Sequence, residues 1–276
     1  MHTKPRFTNR LLLTPLLLLT FLPTFQASAQ ENCRNLEPDV WVEAQYAING
    51  STIIVQNQRV HLIGLYTPQK ARTYKFHTPG EPLAKAAQEH LNTLLANHNL
   101  QIGVVYDKNQ VDKNRIQQAH VFFKNGNSLN EAMLRSGYAI NRTQNDNTRY
   151  AECYYAAEQQ ARQEGYQLWD QLQKNPNSHF PLVKSSEITD QDQGFRIIQG
   201  KILEVRQSST NYILNMDTTG VRIPKKAWDK FDYAKLQALN GQTVEVRGYA
   251  YLYKGHMYMV IDHPYAFDVF SPLKRS

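Results

Sequence analysis

The stretch Val60-His61-Leu62-Ile63-Gly64-Leu65-Tyr66-Thr67-Pro68-Gln69 constrains this chain more than any other, because it predicts a buried strand running straight into a corner. Ile63 and Leu65 suit a strand covered on both faces, Gly64 suits a bend or a close backbone approach, and Thr67-Pro68 fixes an extended exit. Upstream, Asn49-Gly50-Ser51-Thr52 supplies a turn and the start of a second strand. The two segments are therefore expected to pair as a hairpin closed at Asn57-Gln58.

At the amino end, Lys4, Arg6 and Arg10 precede an apolar run from Leu11 to Phe25, and Ala27-Ser28-Ala29 follows as a small-residue cleavage site. This is the pattern of a secretory signal peptide over residues 1–29. A spanning helix needs roughly 20 apolar residues, more than the uninterrupted run supplies. The expected product is cleaved near Ala29, lacks a transmembrane segment, and is secreted or periplasmic. Taking 29 residues from 276 leaves 247, and the formal charge of +7 loses three basic residues to become +4. So weak a basic bias permits nucleic acid or an anionic surface as partner without requiring either. Cys33 and Cys153 are the two cysteines. In an oxidising compartment such a pair bridges more often than it stays as two buried thiols, so a disulfide is expected.

After an amino-terminal arm, 30–40, Trp41–Tyr46 reads as a first strand leading into the hairpin. Glu81-Pro82 opens a helix whose Leu83, Ala87, Leu91, Leu94 and Leu95 share one face. Leu100–Tyr106 and Ala119–Lys124 are strand-like, and Ser128 caps a helix that ends at Gly137. Tyr150, Cys153, Tyr154, Ala157 and Ala161 mark a third helix, stopped by Gly165.

Asn-Gly-Ser-Thr-Ile-Ile-Val followed by Val-His-Leu-Ile-Gly-Leu-Tyr-Thr-Pro-Gln is similar to the thermonuclease (staphylococcal nuclease-like) family, which reads Asp-Gly-Asp-Thr and then Arg-Leu-x-Gly-Ile-Asp-Thr-Pro-Glu. Leu129-Asn130-Glu131-Ala132, with Gly137 and Ala139, resembles a second family segment, and Leu168-Trp169 resembles its closing pair. The resemblance covers 41–170. It implies an α+β, mainly β, domain: a five-stranded OB-type barrel with three helices.

The family cleaves phosphodiesters with a calcium ion held by two carboxylates, a glutamate that activates water, and two arginines that bind phosphate. At the matching positions this chain has Ser51 and Tyr66 for the metal carboxylates, with the Thr67 carbonyl kept, and Gln69 for the base. Neutral hydroxyls leave calcium without charge neutralisation, and an amide takes no proton at neutral pH. His61 stands for the first arginine and Ile116 for the second, with Arg115 as the alternative if the loop register is shifted by one residue. The framework residues remain while the charged ones are replaced, so the resemblance implies a catalytically degenerate member. On this reading no cofactor is expected, and calcium only if the family chemistry survives.

Residues 171–193 read as a linker. Beyond it, over 194–272, Ile197–Arg206, Tyr212–Asp217, Gly220–Ile223, Thr243–Tyr253 and His256–Ile261 read as strands, with a helical piece at Lys225–Leu239. Five strands with a helix after the third predict a second, OB-like barrel. Arg247, Tyr249, Tyr251, Tyr253, Lys254 and Tyr258 interleave aromatic with basic residues, which suits weak contact with bases and phosphates. The same residues also suit a tyrosine-rich strand pair packed on its own barrel. The sequence thus predicts a non-catalytic binding module of the cell envelope, with nucleic acid, protein or glycan as ligand. Its alternative is a divergent nuclease hydrolysing phosphodiester bonds of DNA or RNA.

Overall fold

The computed structural model describes residues 1–2, 33–73, 79–143 and 145–270. The chain divides into Met1–Gln30 and one compact unit, Glu31–Ser276. The expected signal peptide lies outside the described residues apart from Met1 and His2. Among the described residues no helix is long and apolar enough to cross a membrane.

The first half of the compact unit is a closed barrel. Its strands are β1 (Val40–Asn49), β2 (Thr52–Val55), β3 (Gln58–Leu62), β5 (Gln101–Val105) and β6 (Gln117–Phe122), and the order is β1-β2-β3-β6-β5. β3 runs parallel to β6, and β1 closes the barrel by pairing with β5. The hairpin turns at Gln56 and Asn57, both with positive φ, one residue earlier than the sequence predicts. Positive φ at both central residues is the twist-matched type I′ geometry, and asparagine tolerates it.

A short strand β4 (Gly64–Tyr66) leaves the barrel at the predicted corner and pairs with β7 (Ile140–Arg142). Gly64 has φ +82°, and a Cβ there would lie 2.5 Å from the Tyr154 ring, so both conformation and space require glycine. Helices α1 (Ala84–Asn97), α2 (Leu129–Arg135) and α3 (Ala151–Glu164) flank the barrel. Ala87, Leu91 and Leu95 of α1 are fully buried, as their helical spacing predicts. Ser128 caps α2 by accepting from the Glu131 amide, and Gly165 ends α3 in the left-handed region.

Leu168-Trp169 opens a further short helix, α4 (Leu168–Lys174), and the stretch expected as a linker is structured. It contains β8 (Leu182–Lys184), which pairs in parallel with β9 (Gly194–Lys201). β9, β10 (Glu204–Gln207), β11 (Asn211–Asn215), β12 (Thr219–Pro224), β13 (Thr243–Tyr253) and β14 (His256–Val260) complete a second sheet, ordered β10-β11-β12-β14-β13-β9-β8. The expected helix becomes a 3₁₀ segment, Lys225–Lys230, and a short α5 (Tyr233–Gln237). With β9 and β10 taken as one interrupted strand, the pairing order repeats that of the first barrel, including a parallel third–fifth pair, β12 with β14. Each half has its own apolar core. A third core joins them, built from Tyr66, Ile140, Leu168 and Trp169 on one side and Phe180, Phe195 and Ile197 on the other.

Cys33 and Cys153 form the expected disulfide, tying the amino-terminal arm to α3 across 120 residues. For a loop of that length the chain-entropy model gives roughly 5 kcal/mol. Replacing both cysteines by alanine is expected to lower the urea-unfolding free energy by a few kcal/mol. An unchanged midpoint would show that the arm is held by other contacts.

Candidate functional site: a cleft where the two sheets meet

The junction is fastened by three arginine–carboxylate pairs. Arg247 on β13 directs Nη1 at both carboxylate oxygens of Glu158 on α3, at 3.0 and 2.9 Å, and also donates to the Asn141 carbonyl at 3.2 Å. Two residues earlier on the same strand, Glu245 accepts a bidentate pair from Arg162 at 2.9 and 3.0 Å. Arg196 on β9 donates to Glu81 at 3.2 Å. This corrects one expectation from the sequence: Arg247, grouped with the exposed tyrosines, is only 4% exposed and forms part of an inner wall. Alternation along β13 turns Glu245, Arg247 and Tyr249 toward the first barrel, and the buried Glu158 neutralises the arginine.

Each position that matches the thermonuclease metal and base residues is satisfied from within the chain. Ser51 is buried; its amide donates to Asn49 Oδ1 at 2.9 Å, and its hydroxyl accepts from Thr67 Oγ1 at 3.2 Å. The Thr67 carbonyl accepts from Gln69 Nε2 at 2.6 Å. Tyr66 turns from the barrel mouth to stack on Phe195, with centroids 4.3 Å apart, and its hydroxyl donates to Glu81 Oε2 at 2.6 Å. The same Glu81 oxygen accepts the Gln69 amide at 2.8 Å. Burial, and next the Glu81 carboxylate, push the Tyr66 phenol up, so it stays a neutral donor. A hard divalent cation needs anionic oxygens free to converge on it. A buried serine, a tyrosine committed to Glu81 and a capped carbonyl do not supply them. Among the described residues no group of three or more His, Cys, Asp or Glu is placed to hold a metal ion.

His61 lies in the cleft wall with Nδ1 3.2 Å from Thr52 Oγ1. Burial, reinforced by the nearby Arg142 and opposed by Asp112, lowers its pKa to about 4, so the imidazole is neutral at pH 7. Of the two candidates for the second arginine position, Ile116 lines the cleft, whereas the exposed Arg115 does not and adopts φ 62°. The loop holds this register because Asp112 Oδ1 accepts both the Asn114 and Ile116 amides at 2.8 Å.

The cleft between the sheets has a volume of about 1520 Å³, and seven basic against four acidic side chains line it. Sequence reasoning missed Glu81, Glu158 and Arg142. The first two are single carboxylates whose partners lie in the other half of the chain. Arg142 closes a three-residue strand too short to show alternation.

Tyr249 lines the cleft, whereas Tyr251, Tyr253 and Tyr258 gather beside it, with 6.1 Å between the Tyr251 and Tyr258 centroids and the same between Tyr253 and Tyr258. Lys254 Nζ sits 5.5 Å from the Tyr253 ring, and the Arg222 guanidinium 4.8 Å from that of Tyr258. Alternation along β12 offered a signal for Arg222, since it follows Val221 and precedes Ile223, both buried.

Because the His61 pKa falls from 6.5 in the unfolded chain to about 4 in the fold, the folded state binds fewer protons between these values. Its contribution, of order 3 kcal/mol, is present above pH 6.5 and is lost as pH falls toward 4. Burial lowers the His120 pKa in the same sense. His61→Gln is expected to flatten the acid limb of a pH series of urea midpoints, and an unaltered slope would count against this assignment. Glu158→Ala is expected to cost roughly 3–5 kcal/mol, because it leaves Arg247 charged and buried without a partner. Adding Arg247→Met should recover part of that loss.

The family model of the staphylococcal nuclease homologues matches residues 59–171, from the start of the β3 hairpin arm into α4. No curated protein matches the chain. The match covers three of the five barrel strands and the helices that flank them, so residues 59–171 are similar to the staphylococcal nuclease homologue domain in sequence, within a closed five-stranded barrel.

Proposed function

We propose that this is an exported, non-catalytic binding module of the cell envelope, in which a degenerate nuclease-type domain and a second, OB-like domain together frame a ligand cleft. The observation that carries the reading is the internal satisfaction of the reactive positions. Gln69 donates to the carbonyl that a metal would need, and Tyr66 is committed to Glu81 and Phe195. Export is supported by the basic-apolar-small pattern of the first 29 residues and by the disulfide. Nucleic acid, another envelope protein or a glycan are the ligand classes considered. The mildly basic cleft and the tyrosine face favour an anionic or planar ligand bound weakly and with salt sensitivity. The competing reading, a divergent phosphodiesterase, draws on the family match alone.

Calcium titration by calorimetry is expected to give no binding heat, and the purified protein is expected not to hydrolyse DNA or RNA with calcium at any pH. Calcium-dependent cleavage by the unmodified chain would defeat this reading. Ser51→Asp, Tyr66→Asp, Gln69→Glu, His61→Arg and Ile116→Arg would together restore the family's residue types. Among them, Tyr66→Asp is expected to lower the melting temperature by itself, because it replaces a ring stacked on Phe195 with a second carboxylate facing Glu81.

A further inference from the structure

Arg142 has no carboxylate partner among the described residues. It is positioned by aromatic rings instead: its guanidinium lies 4.8 Å from the Tyr249 ring centroid and 5.9 Å from that of Phe195, and Nη1 is 3.4 Å from the Tyr249 hydroxyl. Cation–π contacts hold a guanidinium without neutralising it. The charge is felt nearby, since it helps to suppress protonation of His61.

Beside it, Arg247 lines the same cleft and is anchored through Nη1 alone. Its Nε and Nη2 are buried without a hydrogen-bond partner among the described residues. Buried charged donors are seldom left open, because the desolvation of the unpaired group goes uncompensated. The two arginines are linked through adjacent residues of β7: Arg247 donates to the Asn141 carbonyl, and Arg142 follows directly. The Arg142 fork and the Tyr249 phenol hydroxyl, along one wall of a roomy cleft with a basic excess and with the buried Arg247 behind them, match the oxygens of a tetrahedral oxyanion.

We propose that Arg142 and the Tyr249 hydroxyl, backed by the buried Arg247, form a metal-free oxyanion site that takes a phosphate group, carried either by a strand or by a small phosphorylated molecule. These are not the positions where the family resemblance places its arginines, which here hold His61 and Ile116. The donors come from β7 and from the second sheet, so the site is incomplete without docking of the two halves. The proposal deepens the reading of the cleft as a binding site and does not depend on the loss of catalysis.

The test uses the whole mature protein in EDTA, titrated by calorimetry with inorganic phosphate and with an eight-residue oligothymidylate. Saturable binding of at least one probe is expected, weakened tenfold or more in Arg142→Gln. Arg142→Lys, which keeps the charge but loses the fork, should bind several-fold more weakly than the parent at an unchanged melting temperature. That variant carries the test if Arg142→Gln does not fold. Phosphate binding without oligonucleotide binding would support the site and assign it to a small phosphorylated molecule, whereas binding of both would assign it to a strand. Absence of binding by either probe, or parental affinity in folded Arg142 variants, would overturn the proposal. Calcium-dependent cleavage together with Arg142-dependent phosphate binding in EDTA would defeat the non-catalytic reading and leave this one standing.

Discussion

The pairing of Arg247 with Glu158 is the constraint on which the rest of the architecture turns. Both side chains are withdrawn from water, at 2% and 0% side-chain exposure, so neither tolerates the loss of the other. The carboxylate also accepts the Asn141 amide, while the arginine donates to the Asn141 carbonyl. One buried ion pair thereby fixes β7, α3 and β13 relative to one another. With those three elements in place, Phe195 and Ile197 meet Tyr66 and Ile140, and the third apolar core closes. The net contribution of such a pair to stability is small, because the Coulombic gain is set against the desolvation of both groups.

Most of the first barrel was legible in the sequence, because its signals are local. The Asn49-Gly50 turn, the Ser128 and Gly165 caps, and the leucine face of α1 each predict an element without help from elsewhere. The hairpin turn was displaced by one residue, since Gln56 adopts positive φ where asparagine-glycine chemistry would have marked the corner more sharply. The junction was not legible. Residues 171–193 lack periodicity because their order comes from pairing with β9 and from burial of Phe180 against the other half, both long-range effects. Arg247 looked like a surface cation for the same reason, as its partner lies 89 residues away.

The positions that match the nuclease-type metal and base residues read differently once the second sheet is in view. Tyr66 is a structural residue of the junction, where an aspartate would find an apolar ring and a carboxylate rather than a cation. Gln69 suits its place because an amide both donates to the Thr67 carbonyl and accepts from Arg72. The neutral residues are thus fitted to one another and to the docked sheet, and a carboxylate at any one of them is set against its neighbours.

The disulfide also imposes an order on events. All five strands of the first barrel lie between Cys33 and Cys153, so the two sulfurs become neighbours only after α3 has been made. In a chain that emerges amino end first, the arm bearing Cys33 waits as a free thiol while the barrel assembles. Oxidation of that thiol therefore requires the chain as far as Cys153, and the loop it closes contains every strand of the first barrel.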